Sequence, residues 1–504
     1  VITRPPLPFL VSAALAVGSG LLTGAGQAPM GIWPATLVGV ALFTWLMVDR
    51  RPRSAFGLGY LAGLAMNTLT VSWVSVLGVW VGVALVAFLS LWWGVLALAV
   101  SWLLKLRAWP LLVPAAWVAV EFVSGKVPFG GFSWARLGYT TVDQPMSGLL
   151  AWVGVTGVGY LVALVAQALL LAWSSPSRRT VALAGVAGVF TLGGLAHLVP
   201  QSEPVDEVKV AMVQPAVNRA EKGTGTYARS VTNNALSETI FALSEARAGG
   251  HEVDFVLWPE NATDVDPEAD AATRGLVELS VRLAGAPVFV GAVTDGPVPD
   301  SRQTSSIWWH PDTGPGAVYH KRDLVPFGEW IPFRDVLLPR LPILEQIGRQ
   351  SIPGEGPGVV SAPTERFPDL VVGTIICFEL AYDDTSYDLV RHGAQVVVSQ
   401  SNTNTYAGTF EPHQQLVINR VRAMELGREV AVSTLNSLSA VVDTRGRVQE
   451  VTAEYQADSV LTSLPLRTNV NLSVLLSPWL AWVAVAATAG GIGAALGPRR
   501  GRAR

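Results

Sequence analysis

Long runs without charge alternate with a single polar, charge-bearing segment, and this division is the first structural signal in the chain. No Asp, Glu, Lys or Arg occurs from Pro5 to Val48, Ser54 to Leu104, Gln144 to Ser177, Thr180 to Ser202 or Thr468 to Gly497. A bilayer core takes roughly 20 apolar residues per helix. The runs therefore predict eight spans, at about 7–25, 31–48, 55–74, 79–104, 108–124, 147–173, 180–199 and 475–496, with the third and fourth divided near Ser72–Gly78. The first run continues too far for a cleaved signal peptide.

From Glu203 to Arg467 the pattern changes. Short β-type runs at Val208–Val217, Asp254–Trp258, Pro287–Thr294, Ser306–His310, Ala317–His320, Leu370–Cys377, Gln395–Ser399 and Val430–Ser433 alternate with helical patterns near 226–248, 268–285, 383–393 and 412–427. A late pair of β runs around Ala440–Val448, with a Gly-containing turn, predicts a hairpin. Buried β runs interleaved with amphipathic helices predict a layered α/β sandwich. The predicted organisation is seven transmembrane helices over 1–202, an α/β domain over 203–467, and an eighth helix with a basic tail over 468–504.

Composition agrees. Half the residues are hydrophobic and 14% are charged, and the mean hydropathy of +0.40 is too apolar for an ordinary soluble enzyme. Arg4, the Asp49–Arg53 loop, Lys105 with Arg107, Arg178 with Arg179, and the Pro498–Arg504 tail fall at alternate ends of the spans. The excess of positive charge on cytoplasmic loops puts all five inside, both termini cytoplasmic and the 203–467 domain extracytoplasmic. Tryptophans near span ends (Trp33, Trp45, Trp73, Trp109, Trp173, Trp479) suit interfacial belts. A net charge of −3 with no basic stripe predicts no nucleic-acid partner. Six scattered histidines and one cysteine predict neither a metal site nor a disulfide framework.

That one cysteine, Cys377, ends the apolar run from Leu370. Alone it reads as a small buried hydrophobe. Two other groups change the reading. Glu260 follows Phe255-Val-Leu-Trp-Pro, and Lys321 follows Val318-Tyr-His, so each emerges where a strand-like run ends. A partly desolvated carboxylate suits a general base, an ammonium can hold an oxyanion, and a thiol can be the nucleophile. Together these are the parts of an acyl-transfer site.

The three segments resemble the Glu-Lys-Cys triad of the carbon–nitrogen hydrolase (nitrilase) superfamily. With seven spans before the domain and one after, the whole chain is similar to its membrane-embedded branch, the apolipoprotein N-acyltransferase family. Lys321-Arg-Asp-Leu-Val-Pro-Phe-Gly-Glu329 matches that family's K-x-x-L-V-P-F-G-E motif. Glu121-Phe-Val with Phe132–Tyr139 resembles its outer membrane loop, and Arg420–Arg428 its R-A-x-E-x-G-R helix. The resemblance implies an eight-helix transmembrane region with an extracytoplasmic αββα sandwich inserted between helices seven and eight. It implies Cys377 as nucleophile, Glu260 as base and Lys321 as oxyanion stabiliser, with Glu329 and Glu379 as supporting carboxylates. Helix 412–428 is expected to pack rather than catalyse, and Glu121 to have a structural or lipid-path role.

Three positions depart from the family pattern. Phe378 follows the cysteine where many relatives carry tyrosine, Ser401–Tyr406 replaces S-N-D-x-W-F, and no tryptophan follows the first strand of the domain. The apolar segment Phe333–Ile352 reads as a lid admitting acyl chains. The implied reaction moves a fatty acyl chain from a phospholipid donor, through a cysteine thioester, to the α-amine of a diacylglyceryl-modified lipoprotein at the bacterial cell membrane, with no cofactor. A membrane-tethered amidase and a non-catalytic scaffold for a lipid-linked glycosyltransferase are the alternatives.

Overall fold

The computed structural model describes residues 3–217 and 226–497. The basic tail Pro498–Arg504 lies outside the described residues. Two compact units emerge, one of residues up to Pro200 and from Leu475 onward, the other of Gln201–Val474.

The first unit holds helices α1 (Phe9–Gly24), α2 (Trp33–Leu46), α3 (Pro52–Val71), α4 (Val79–Leu103), α5 (Trp109–Ser124), α6 (Leu150–Ser174) and α7 (Arg179–Ala196), together with most of a last apolar helix, Leu472–Leu496. Among the described residues five helical stretches are long and apolar enough to cross a membrane: Pro52–Leu77, Val79–Leu103, Pro145–Ser174, Pro176–Ala196 and Leu472–Leu496. α1, α2 and α5 are shorter, at 16, 14 and 16 residues. Pro8 at the cap of α1, and Pro34 and Pro110 in the first turns of α2 and α5, set where these helices begin. Helices pack through small residues: a Cβ added at Gly63 of α3 would lie 2.7 Å from the Trp93 Cβ of α4. Trp109 is buried, so it supplies core rather than belt. The Glu121 carboxylate on α5 accepts the Leu137 backbone N–H at 2.8 Å, the kind of partner that an ionisable group needs in apolar surroundings.

The second unit runs β1 (Asp206–Gln214), α8 (Thr226–Ala248), β2 (Phe255–Leu257), α9 (Ala271–Ala284), β3 (Val288–Asp295), β4 (Ser301–His310), β5 (Gly314–His320), α10 (Arg334–Leu337), β6 (Gln350–Ser351), β7 (Val359–Ser361), β8 (Val371–Ile376), α11 (Asp383–Arg391), β9 (Val396–Ser401), α12 (Glu411–Leu426), β10 (Val430–Thr434), β11 (Ala440–Val442), β12 (Val448–Val451) and β13 (Asp458–Leu466). One sheet has the order β13-β1-β2-β3-β4-β5, with β6 beside β4, and the other β12-β11-β10-β9-β8-β7. Strand alternation builds the layers. Val208, Val210, Met212, Phe289 and Trp308 join Val372, Ile376, Val396 and Val398 of the opposite sheet in one core. Their neighbours Ala211, Val213, Val288, Val290, Ile307 and Trp309 face outward onto α8 and α9. α11 packs on β8 and α12 on β10, completing an αββα sandwich.

Three strands differ from expectation. β6 and β7 are two and three residues long, too short for a periodic signal. β13 pairs with β1 over its full length despite Pro465, because it is an edge strand where a missing N–H is tolerated.

α12 is buried almost all round, and its Arg422 and Glu425 are paired internally. The buried Arg422 guanidinium donates to Leu380 O at 2.8 Å, Glu425 at 2.6 Å and Asp383 at 2.8 Å, and Tyr387 donates its hydroxyl to Glu425 at 2.7 Å. Removing one partner of such a network strands the others. Arg422→Ala should therefore cost about 3–5 kcal/mol in denaturant unfolding of the detergent-solubilised chain; a loss below about 1 kcal/mol, typical of an exposed pair, would contradict this account.

Candidate active site

Strand direction brings the candidate residues together. β1, β2 and β3 run parallel, β4 is antiparallel to β3, and β5 is antiparallel to β4. β5 thus points as β2 does, and Glu260 beyond β2 leaves the sheet at the same edge as Lys321 beyond β5. In the other sheet β8, β9 and β10 are parallel, with Cys377 immediately after β8. Carboxyl ends of parallel strands are where open α/β sheets place ligands.

The three residues converge around a buried ammonium. Lys321 Nζ lies 3.3 Å from Glu260 Oε1 and 2.9 Å from Glu329 Oε1, and both Lys321 and Glu260 are buried. The second oxygen of each carboxylate is held by backbone, Glu260 Oε2 by Asn402 N–H at 2.6 Å and Glu329 Oε2 by Val325 N–H at 2.7 Å. Burial alone lowers the pKa of Lys321, but Glu260 and Glu329 outweigh it and hold the amine well above its ordinary value. Burial raises Glu260 against the pull of Lys321, so this carboxylate keeps the basicity a general base needs. Gly291 on β3 makes room behind it, since a Cβ there would lie 2.7 Å from the Glu260 Cα.

Cys377 sits at φ 50°, in the left-handed region that non-glycine residues rarely adopt. The chain turns there from β8 into a 3-10 segment, Cys377–Ala381, which leaves the thiol partly exposed at the rim of the sandwich core. Burial and then the Glu260 charge push the thiol well above its ordinary pKa, while Lys321 draws it down. The resting group is a thiol.

Glu379 and Phe378 act differently from each other. Glu379 Oε1 accepts Tyr319 O–H at 2.6 Å and Arg322 N–H at 2.6 Å, and Oε2 accepts Ile376 N–H at 2.8 Å. It ties the lysine segment to the turn at Cys377, so its support is positional. Burial pushes its carboxyl up to about 7, against the Tyr319 hydrogen bond. Phe378 is buried against the Tyr382 ring, with centroids 5.4 Å apart.

Several contributors escaped the sequence reading. Gln400, buried on β9, donates to Trp258 O at 2.6 Å, pinning the strand before Glu260 to the opposite sheet. Two residues later Asn402 supplies its backbone N–H to Glu260, so the divergent Ser401–Tyr406 segment keeps a contact that needs no particular side chain. Helix α12 does more than pack: Gln415 Nε2 lies 3.9 Å from Cys377 Sγ. The readable signal was a polar residue one turn into a buried helix.

Comparison with known proteins places this geometry. The family model described as "Apolipoprotein N-acyltransferase N-terminal domain" matches residues 19–168, and that described as "Carbon-nitrogen hydrolase" matches 209–466. An apolipoprotein N-acyltransferase of Mycolicibacterium smegmatis is 30% identical over 490 residues, 92% of this chain and 81% of that one. The chain belongs to the apolipoprotein N-acyltransferase family. A second member, from Vibrio parahaemolyticus, is 25% identical over 92% of this chain and 95% of its own. A solved structure of Saccharomyces cerevisiae Nit3, a member of branch 10 of the nitrilase superfamily, superposes with a TM-score of 0.39 at 16% identity, over 53% of this chain and 93% of that one.

The ammonium at the centre of the site has a thermodynamic signature. Without it, Glu260 must take up a proton to stay buried, whereas the unfolded chain releases that proton above about pH 4.3. Stability then falls as pH rises. Lys321→Ala should lower the melting temperature relative to the parent, by an amount equivalent to about 3–5 kcal/mol at neutral pH, with the deficit growing between about pH 5 and about pH 8. A deficit independent of pH would mean that the ammonium is not what keeps Glu260 ionised.

Proposed function

We propose that this member of the family moves an acyl chain from a membrane phospholipid, through a thioester on Cys377, to the α-amine of the diacylglyceryl-cysteine at a lipoprotein N-terminus. The observation carrying the reading is the buried Lys321 held by two carboxylates beside a single, partly exposed thiol, in a chain whose other unit is apolar helices. The relatives bear acyltransferase names, which favours an amine over water as acceptor.

In the first half-reaction Glu260 takes the Cys377 proton and the thiolate attacks the ester carbonyl. Lys321, with a backbone N–H near Cys377, holds the oxyanion. The C–O bond breaks, and Glu260 returns its proton to the departing lysophospholipid. In the second, the amine attacks the thioester, the C–S bond breaks and an amide forms. The thioester carries the energy for this step, so no nucleotide is consumed. Water must be kept away meanwhile. Phe333, Val336, Leu341 and Ile343, all exposed in the segment around α10, provide an apolar lid surface, while Leu344 anchors it.

Orientation follows from the basic loops. Those between α2 and α3, α4 and α5, and α6 and α7 are read as cytoplasmic, which makes Gln201–Val474 extracytoplasmic. Ser177 and Thr313 are both exposed. In a Cys377→Ala background, a membrane-impermeant maleimide on intact cells should label Thr313→Cys and spare Ser177→Cys; the reverse pattern would invert the topology.

The chemistry has its own test. Purified enzyme given phospholipid alone should accumulate an acyl group on the Cys377 peptide, seen by mass spectrometry and released by neutral hydroxylamine as a thioester is. Cys377→Ser should abolish turnover, because a hydroxyl titrates far above a thiol and a carboxylate cannot compensate. No adduct after rapid quench, together with an active serine variant, would sink the thioester route.

A further inference from the structure

Aminolysis sets a requirement that the residues described so far do not meet. An α-amine reaches the site mostly as an ammonium, with a pKa of about 7.7–8.0, and must lose a proton before its nitrogen can attack. Three carboxylates of the site already spend both oxygens. Glu260 is held by Lys321 and Asn402 N–H, Glu329 by Lys321 and Val325 N–H, and Glu379 by Tyr319 and three backbone N–H groups.

A fourth carboxyl is different. Glu411, the first residue of α12, is 3% exposed, and its Oε2 is buried without a hydrogen-bond partner among the described residues. A buried carboxylate oxygen left unmatched is costly, and a functional demand is one reason a folded chain keeps it. Its place in the fold supplies that demand. Residues four apart share a helix face, and Gln415, four residues on, touches the Cys377 sulfur at 3.9 Å. The charge of Glu411 is felt at Cys377 and at Tyr406.

We propose that Glu411 is the acceptor-side base of the site: it receives the α-ammonium of the incoming lipoprotein and takes its proton, so that the neutral amine attacks the acyl group on Cys377. The assignment rests on the acyl-transfer reading above. In proton terms, Glu411 carboxylate takes one proton from the ammonium, and the freed lone pair forms the C–N bond. Glu260 takes a second proton from that nitrogen and delivers it to the sulfur as the C–S bond breaks. Glu411, neutral at rest, gives its own proton to water as the ammonium arrives beside it, and the proton it then takes from the amine restores the neutral carboxyl for the next cycle.

The electrostatics suit both half-reactions. Facing Glu411 are Glu260 from the loop after β2, Glu454 from the β12–β13 connection, Cys377, and Tyr406 from the segment after β9. Burial, then the Glu260 and Glu454 charges, push the carboxyl up to about 8. It is thus mainly neutral while the thiolate forms, adding little charge against it. An ammonium beside it meets a group of nearly equal proton affinity, the condition for efficient transfer.

The test separates the half-reactions in the full-length enzyme. Glu411→Gln should form acyl-enzyme from phospholipid within about twofold of the parental rate, and lose about 10²-fold in single-turnover transfer to a diacylated lipopeptide at about pH 7. Transfer by the variant should recover as pH rises toward the amine pKa. Hydroxylamine, uncharged at neutral pH, needs no base and should cleave the variant's thioester at the parental rate. Glu411→Asp, which keeps a carboxyl, should restore part of the transfer. Equal slowing with hydroxylamine and lipopeptide would reduce Glu411 to a structural residue, and unchanged transfer to lipopeptide would remove it from the mechanism. If the parent itself formed no acyl-enzyme, the acyl-transfer reading would fail first, and this assignment with it.

Discussion

A lysine ammonium stays charged inside a protein only if anions accompany it, and the buried Lys321 is accompanied by two. Much of the second unit can be understood from that constraint. Glu260 comes from the end of β2, Lys321 from the end of β5, and Glu329 from the loop beyond, so three chain segments must arrive within about 3 Å of one point. Each carboxylate then uses its remaining oxygen on a backbone N–H, which fixes the loops as well as the charges. A site assembled in this way is rigid before substrate arrives. Preorganisation of that kind lets an oxyanion be stabilised without reorganisation during the reaction.

The same arrangement governs the thiol. Burial and the surrounding carboxylates hold Cys377 protonated, while Lys321 favours the thiolate. The balance favours the protonated thiol at rest. The left-handed backbone at Cys377 belongs to this design, because it turns the chain out of β8. Glu379 secures that turn to the lysine segment through Ile376, Arg322 and Tyr319. The residue after the cysteine is therefore free to be phenylalanine: the geometry is held by a carboxylate two positions along and by backbone, not by a hydroxyl at 378.

The sandwich supplies the rest through ordinary packing. Alternation along β1, β3 and β4 sends one face to the partner sheet and the other to α8 and α9. Gln400 interrupts the apolar inter-sheet core with a fully buried amide that reaches across to Trp258 O. Buried polar groups earn specificity only when satisfied, and this one fixes the strand that presents Glu260. In the apolar unit, close helix contacts at glycines replace the hydrophobic driving force that a bilayer does not provide.

Local pattern determined a great deal here. Charge-free runs, strand periodicity and the emergence of Glu260, Lys321 and Cys377 at strand ends could all be read from residue order, because burial imposes periods that the sequence must carry. The Lys321–Glu329 motif also placed the ammonium and one of its two carboxylate partners within one short segment. Other features came from contacts between distant segments. β13 joins β1 across more than 240 residues, and its Pro465 and scattered Ser and Thr carry no strand signal of their own. Gln400, Asn402, Glu411 and Gln415 are ordinary polar residues in sequence. Only the docking of β9 and α12 against the ends of the other strands decides that Gln400 reaches Trp258 O, that Asn402 N–H meets Glu260 and that Gln415 lies beside the Cys377 sulfur. Periodicity reports which face of a helix is buried; what that face meets is set by the packing of elements far apart in the chain.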